Sequence, residues 1–228
     1  MIAAPTWAII PVKALGGAKL RLAPALPAPA RRRLMRTMLE DVLATIGKTE
    51  AIARTIVVTP DAEAAELAAR AGAMLLREDY PRNLNAAVAL GLARAEAHGV
   101  AQALVLPADV PLAEPGELRA VIEALPATSG PRAALVPSHD GDGTNALLVS
   151  PPGAIEPAFG EGSFVRHLAQ AVGRRLDTRV LHLPGLAADI DTPRDLARLE
   201  GMSRYDFLAE FLAAYGCGKR HGTGAQEQ

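Results

Sequence analysis

The sequence predicts an α/β protein with a mainly parallel sheet covered by helices on both faces. Two observations predict it. Short apolar or β-branched runs alternate with longer stretches whose apolar residues recur at three-and-four spacing. Half of the 228 residues are hydrophobic, with charges of both signs, enough to bury a sizeable core in one domain. There is no internal repeat and no long linker.

The elements follow in order. Residues 7–12 (Trp7 to Val12) read as a buried first strand, followed by a Gly-containing loop from Lys13 to Leu22. Leu34, Met35, Met38, Leu39, Val42, Leu43 and Ile46 give residues 30–46 one apolar helical face. Thr55–Thr59 is a second strand, and Pro60-Asp61 opens an Ala- and Glu-rich helix that ends near Gly72. Ala73–Leu76 is a third strand. Asn83–His98 is a helix stopped by Gly99, and Ala103–Leu106 is a fourth strand. Residues 116–125 are helical, Ala133–Val136 is a strand, and the polar turn Ser138–Gly143 leads into another, Asn145–Val149. A helix of about ten residues follows Gly162-Ser163. Val180–Leu183 and Leu186–Ile190 read as strands, and Thr192-Pro193 as the cap and first position of a last helix. This divides the chain into a main domain, residues 1–200, and a C-terminal part, 201–228. Within that part, 201–214 is a helix for the body or for a partner subunit, and 216–228 a disordered tail.

Composition narrows the function. Lys plus Arg is 24 and Asp plus Glu is 25, a net charge of -1, which leaves no electrostatic footprint for a nucleic acid. Eight aromatics make no base-stacking platform, and Cys217 is the single cysteine, so intrachain disulfides and CxxC redox motifs are excluded. No apolar run is long enough to span a bilayer, and the N-terminus lacks signal-peptide order, so the expectation is a soluble, cytoplasmic protein.

Ligands of parallel α/β sheets bind beyond the carboxyl ends of the strands, so the segments after each strand hold the candidates. After the first, Gly16 and Gly17 allow a tight turn, and Lys13, Lys19 and Arg21 place three cations within nine positions. Such a loop suits a polyphosphate, and equally an ordinary solvated loop. After the fourth stands Asp109, between prolines. Asp189 and Asp191 share one side of a strand, with Ile190 turned inward; two carboxylates there call for a cation. With Asp109 as a third carboxylate, Mg²⁺ with substrate phosphates is favoured over Asp191 as a mere helix cap. Thr144 in the turn Asp140–Asn145, and Gly160 and Ser163 at a helix N-terminus, complete a pocket, though each also reads as a turn or cap residue. His167, four residues past Ser163, has the spacing to face the same pocket, but reads first as a helix-surface histidine. GxSxG, HExxH and a Cys–His pair are absent, which points to chemistry by positioning and charge neutralisation.

Together, "IPVKALGGAKLRL", "LPADVPL", "GTNALLVSPP", "FGEGSFVRHL" and "PGLAADIDTPRDL" resemble, in order over residues 7–200, the CofC/FbiD guanylyltransferases of coenzyme F420 biosynthesis. The broader kinship is to MobA-like nucleotidyltransferases. The resemblance implies a Rossmann-like, nucleotide-diphospho-sugar transferase-like fold. It also implies transfer of GMP from GTP to phosphoenolpyruvate, 2-phospho-L-lactate or 3-phospho-D-glycerate, with release of pyrophosphate. By it, Asp109, Asp189 and Asp191 match Mg²⁺ carboxylates. Thr144, Gly160 and Ser163 match the phospho-acid site, and Lys13, Gly16, Gly17, Lys19 and Arg21 fall in the nucleotide loop, with Asn85 as a further nucleotide contact. Lys13, Lys19 and Asp109 are the expected catalytic groups. Partners are GTP and the acid, without nucleic acid or membrane; a homodimer and handover of product to the next F420 enzyme are further expectations. The alternatives are a MobA-like enzyme for another phosphorylated acceptor, a non-catalytic nucleotide sensor, and an interaction module built on residues 202–214.

Overall fold

A computed structural model describes residues 5–77, 83–125 and 130–213. The expected tail, 216–228, and Cys217 lie outside the described residues. Seven strands form one sheet: β1 (Thr6–Pro11), β2 (Ile52–Val58), β3 (Met74–Leu76), β4 (Gln102–Val105), β5 (Arg132–Pro137), β6 (Thr144–Ser150) and β7 (Asp177–Val180). Their order is β3-β2-β1-β4-β6-β5-β7. β6 alone runs against its neighbours, β4 and β5; the other pairings are parallel. The helices are α1 (Ala28–Gly47), α2 (Ala62–Arg70), α3 (Leu84–Ala97), α4 (Pro115–Glu123) and α5 (Ser163–Gly173).

The alternation of side chains across each strand builds two cores. Ala8 and Ile10 of β1, Leu104 of β4 and Leu148 of β6 face α1, α2 and α4. Trp7, Ile9, Val105 and Leu147 face α3 and α5. The second layer is tight: a Cβ on Gly91 of α3 would lie 2.4 Å from Cγ2 of Ile9, so glycine lets the helix sit directly on β1. Helix starts follow local chemistry. Asp61 caps α2 by accepting from the Glu63 and Ala64 amides, and Asn83 caps α3 through Ala86.

The topology also places the site. The chain moves outward from β1 through β2 to β3, then returns to β4 on the other side of β1. The loops after β1 and β4 therefore part at the sheet's switch point, the crevice where α/β proteins bind ligands. Because β6 is reversed, its first residue, Thr144, stands at the same end of the sheet as those loops.

Three expectations are corrected. Residues 186–190 form no strand. Leu186, Ala188 and Ile190 are buried in the alternating manner of one, but their backbone is held by other groups. Gly185 and Leu186 donate to the Glu117 carboxylate, Ala187 accepts from the His139 amide, and Ile190 donates to the Asp109 carbonyl. Thr192 does not cap a long helix. Asp195 accepts from the Thr192 amide and hydroxyl (both 2.8 Å), and only a 3-10 helix, Asp195–Leu199, follows. The last strand lies earlier than expected, at Asp177–Val180, because β5 pairs with it from Arg132 to Leu135.

Beyond residue 200, Ser203–Leu208 is a 3-10 helix packed on α1 of the same chain. Tyr205 and Leu208 are buried, the Tyr205 hydroxyl donates to Asp41 at 2.6 Å, and the Arg33 guanidinium lies over the Phe207 ring at 4.0 Å. No helix among the described residues is long and apolar enough to cross a membrane.

Candidate active site

The cleft at the switch point has two lobes. One, of about 380 Å³, lies between the loop after β1 and the Pro107–Asp109 turn, and an adjoining cavity of about 390 Å³ extends it toward Pro60 and Asn83. The other, of about 310 Å³, lies among the β5–β6 turn, the Phe159–Ser163 loop and Asp189. The two sides share a wall made of Arg21, Leu84, Pro107, Asp109 and Asp191.

On the first side, Lys13, Gly17, Lys19 and Arg21 all line the cavity, with Lys13 and Arg21 exposed. Gly16 is exposed and does not line it. The Leu15 amide donates to the second oxygen of the α2 cap, Asp61, which ties this loop to the sheet. Lys19 is the loop's fixed cation. Its backbone is left-handed (φ 57°), a conformation a non-glycine residue adopts when its surroundings hold it there. Its ammonium is buried and bridges Asp109 (2.6 Å) and Asp191. Burial works against that charge, but Asp109 and then Asp191 outweigh it and hold the ammonium above the ordinary lysine range.

Asp189 stands beside this bridge. Burial raises its carboxyl above the usual range. The Asn145 amide, donating at 3.0 Å, opposes the shift, and the nearby Asp109 and Asp191 charges add to it. Asp109, Asp189 and Asp191 thus front one cavity despite the missing strand. The backbone bond between Ile190 and Asp109 and the Asp195 cap on the amides of Asp191 and Thr192 supply the order that a ladder would have given.

On the acceptor side, Thr144 and Ser163 are 5% and 2% exposed. The Thr144 amide donates to the Ser163 hydroxyl at 2.9 Å, joining β6 to the start of α5. Gly160 (φ 115°) and Gly162 (φ 64°) take conformations that favour glycine and turn the loop back toward the helix. Asn85 does not reach across to the first lobe. Its oxygen accepts from the Phe159 amide (2.7 Å) and its nitrogen donates to the Phe159 carbonyl (3.2 Å), clamping the loop at both ends of one residue. Asp142 accepts from the Gly162 amide at 2.8 Å, and Arg166 donates to the Ala158 carbonyl at 2.9 Å.

His167, read from the sequence as a surface residue, is fully buried. Its Nδ1 lies 2.9 Å from the Thr144 hydroxyl, and its Nε2 accepts from the Ala158 amide at 3.0 Å. Burial, with a smaller contribution from Arg166, pushes its pKa down to about 4, so the ring is neutral at pH 7. Asn145 and Asp142 line the cavity and are not singled out by motif reading; His167 stands behind it, in contact with Thr144. The four-residue step from Ser163 to His167, one helical turn on the same face, is the sequence feature that allows this placement.

Known proteins resemble this chain over most of its length. The family "Guanylyl transferase CofC like" matches residues 6–215. The phosphoenolpyruvate guanylyltransferase of Sphaerobacter thermophilus is 43% identical over 196 residues, covering 86% of this chain and 93% of that protein. The one of Conexibacter woesei is 36% identical, covering 98% and 96%. Among solved structures, a Desulfovibrio desulfuricans chain described as a nucleotide-diphospho-sugar transferase superposes with a TM-score of 0.72 at 17% identity, covering 92% of this chain and 97% of its own. A 4-diphosphocytidyl-2C-methyl-D-erythritol synthase superposes at 0.60 and 14% identity, covering 86% and 97%. These two show a shared fold. With the family match spanning nearly the whole described chain, and relatives this similar over most of their length, the chain belongs to the CofC-like guanylyl transferase family.

Proposed function

We propose that this chain transfers GMP from GTP to phosphoenolpyruvate, or to another phosphorylated three-carbon acid, and releases pyrophosphate. The observation that carries the reading is the two-lobed cleft whose lobes meet at Asp109, Asp191 and Arg21. A transferase of this kind needs two anionic substrates side by side with opposite-sign groups where they touch.

The chemistry needs little from the protein beyond that. A phosphate monoester is ionised at pH 7, so its oxygen attacks the α-phosphorus without a general base. The bond from the α-phosphorus to the bridging oxygen breaks, and pyrophosphate leaves with its electron pair. The barrier is repulsion between anions and the alignment of attacker and leaving group. In this reading Lys13 and Arg21 receive the triphosphate, with Gly17 lining the same cavity. Lys19 neutralises charge at the junction. Thr144, Ser163 and the Gly160 turn hold the acid. Asn85 keeps the Phe159–Gly160 backbone in place instead of contacting the base.

The carboxylates fit Mg²⁺. Three oxygen-donor groups, Asp109, Asp189 and Asp191, front one cavity, and the hard oxygen donors Mg²⁺ prefers are what they supply. Among the described residues no three carboxylate, histidine or cysteine side chains are already gathered as a metal cage, and Lys19 bridges two of the three aspartates. Asp109, Asp189 and Asp191 would hold the ion, and when bound it would supply neutralisation of phosphate charge. The product, a GMP-linked acid, would pass to the next enzyme of F420 biosynthesis.

The test is pyrophosphate release by the purified protein with GTP and Mg²⁺ and each of the three phospho-acids. Release with phosphoenolpyruvate above the other acids is expected. No release with any of them would overturn the assignment and favour a different phosphorylated acceptor.

A further inference from the structure

The hydrogen bonds behind the acceptor lobe have a fixed direction. An amide nitrogen can only donate, so the Ala158 N–H at 3.0 Å leaves His167 Nε2 without a proton. The ring is neutral at pH 7, so its one proton sits on Nδ1. Nδ1 lies 2.9 Å from the Thr144 hydroxyl and donates to it. The Thr144 oxygen has then accepted from inside, and its own hydrogen is directed elsewhere, toward the cavity that Thr144 lines. Ser163 repeats the pattern: its hydroxyl accepts from the Thr144 amide at 2.9 Å, which leaves its hydrogen for the same cavity.

We infer that His167 is a positioning residue that sets the polarity of the acceptor lobe, through the chain Ala158 amide to His167 to Thr144, so that both hydroxyls face the bound acid as donors. The opposite tautomer would reverse the sense. An Nε2–H ring would oppose the Ala158 amide, and its bare Nδ1 would attract the Thr144 hydrogen inward. An oxygen lone pair would then face an anion. The Phe159 ring, edge-on to the imidazole at 4.7 Å between centroids, and the Asn85 clamp on the Phe159 backbone keep the ring from turning.

The inference rests on the reading of this lobe as the phospho-acid site, and the tests separate the two. The first uses the wild-type protein: nitrogen-15 spectra of labelled histidine, with His167 assigned by the signal missing in His167→Gln. The Nδ1–H tautomer is expected at pH 7, against the usual Nε2–H preference of a solvent-exposed histidine side chain. The Nε2–H tautomer would overturn the inference. The second compares side chains. Asn places its amide near the Nδ1 position and restores the donor to Thr144. Gln reaches the Nε2 position and restores only the acceptor for Ala158. His167→Gln and Thr144→Val should each raise the KM for phosphoenolpyruvate about tenfold, the effect of one hydrogen bond to a charged group, with the GTP KM changed less than about twofold. His167→Asn should show a clearly smaller rise than His167→Gln. An equal or larger rise in His167→Asn, or a rise in Thr144→Val without one in His167→Gln, would overturn the positioning role while leaving the acid site intact. No rise in Thr144→Val would overturn the acid-site reading itself.

Discussion

The two sides of the cleft are built differently. On the side after β1, the chain presents cations on exposed arms: Lys13 and Arg21 project from a loop anchored at Leu15 and Lys19. On the other side, Thr144, Ser163 and His167 are buried and joined to one another, and Asn85, Asp142 and Arg166 tie down the loop that closes the lobe. A triphosphate is long, flexible and highly charged, and mobile cations can follow it. A three-carbon acid offers a carboxylate, a phosphate and little else. Telling it from other small anions needs donors fixed in place before it arrives. The contrast suggests that one side recognises charge and the other recognises shape.

Changing the wall the lobes share should have the largest effect. Asp191→Asn removes one anchor of Lys19 and one proposed Mg²⁺ ligand, and turnover should fall on the order of 10³-fold, measured as pyrophosphate release. Retention of more than about a tenth of the activity would remove the junction from the mechanism.

Next is the acid stability of the fixed side. The His167 pKa is about 4 in the folded chain against 6.5 for an ordinary histidine. The unfolded chain therefore takes up the proton first as pH falls. Stability associated with this residue is complete above about pH 6.5 and is lost as the pH drops from there toward 4, by up to about 3 kcal/mol. Urea melts of wild type and His167→Asn from pH 7.5 to 4.5 should converge by that order as the pH falls. Parallel curves would contradict the buried neutral ring.

Asn85→Ala frees the Phe159 backbone. The KM for the acid should rise about fivefold to tenfold with the GTP KM nearly constant, since two backbone hydrogen bonds are lost on one side only. A rise confined to GTP would return Asn85 to the nucleotide-contacting role that the resemblance implies. Smallest is Lys13→Ala: about a threefold rise in the GTP KM, shrinking further with added salt, as for an exposed charge.

The same contrast explains what the sequence made legible. The alternating sheet and helices were readable because burial on two faces imposes periodicity, from Ala8 and Ile10 in one core to Trp7 and Ile9 in the other. The cationic loop and the three aspartates were readable as residue types standing after strands. The run Leu186–Ile190 was misread because burial alternates there as in a strand, while its amides bond to a glutamate side chain and to loops. Periodicity reports burial and not the hydrogen-bond partner. The links of Asn85 to Phe159 and of Thr144 to His167 cross 74 and 23 positions, and no local pattern encodes them. The parts that recognise charge show in composition; the parts that fix polarity show only when the chain is folded.

The most direct test of a divided cleft is binding of each substrate alone, by calorimetry, to Lys13→Ala and Thr144→Val in the presence of Mg²⁺. The account predicts a crossed result: Lys13→Ala weakens GTP and leaves phosphoenolpyruvate as in wild type, and Thr144→Val does the reverse. Equal weakening of both ligands by either variant would contradict it.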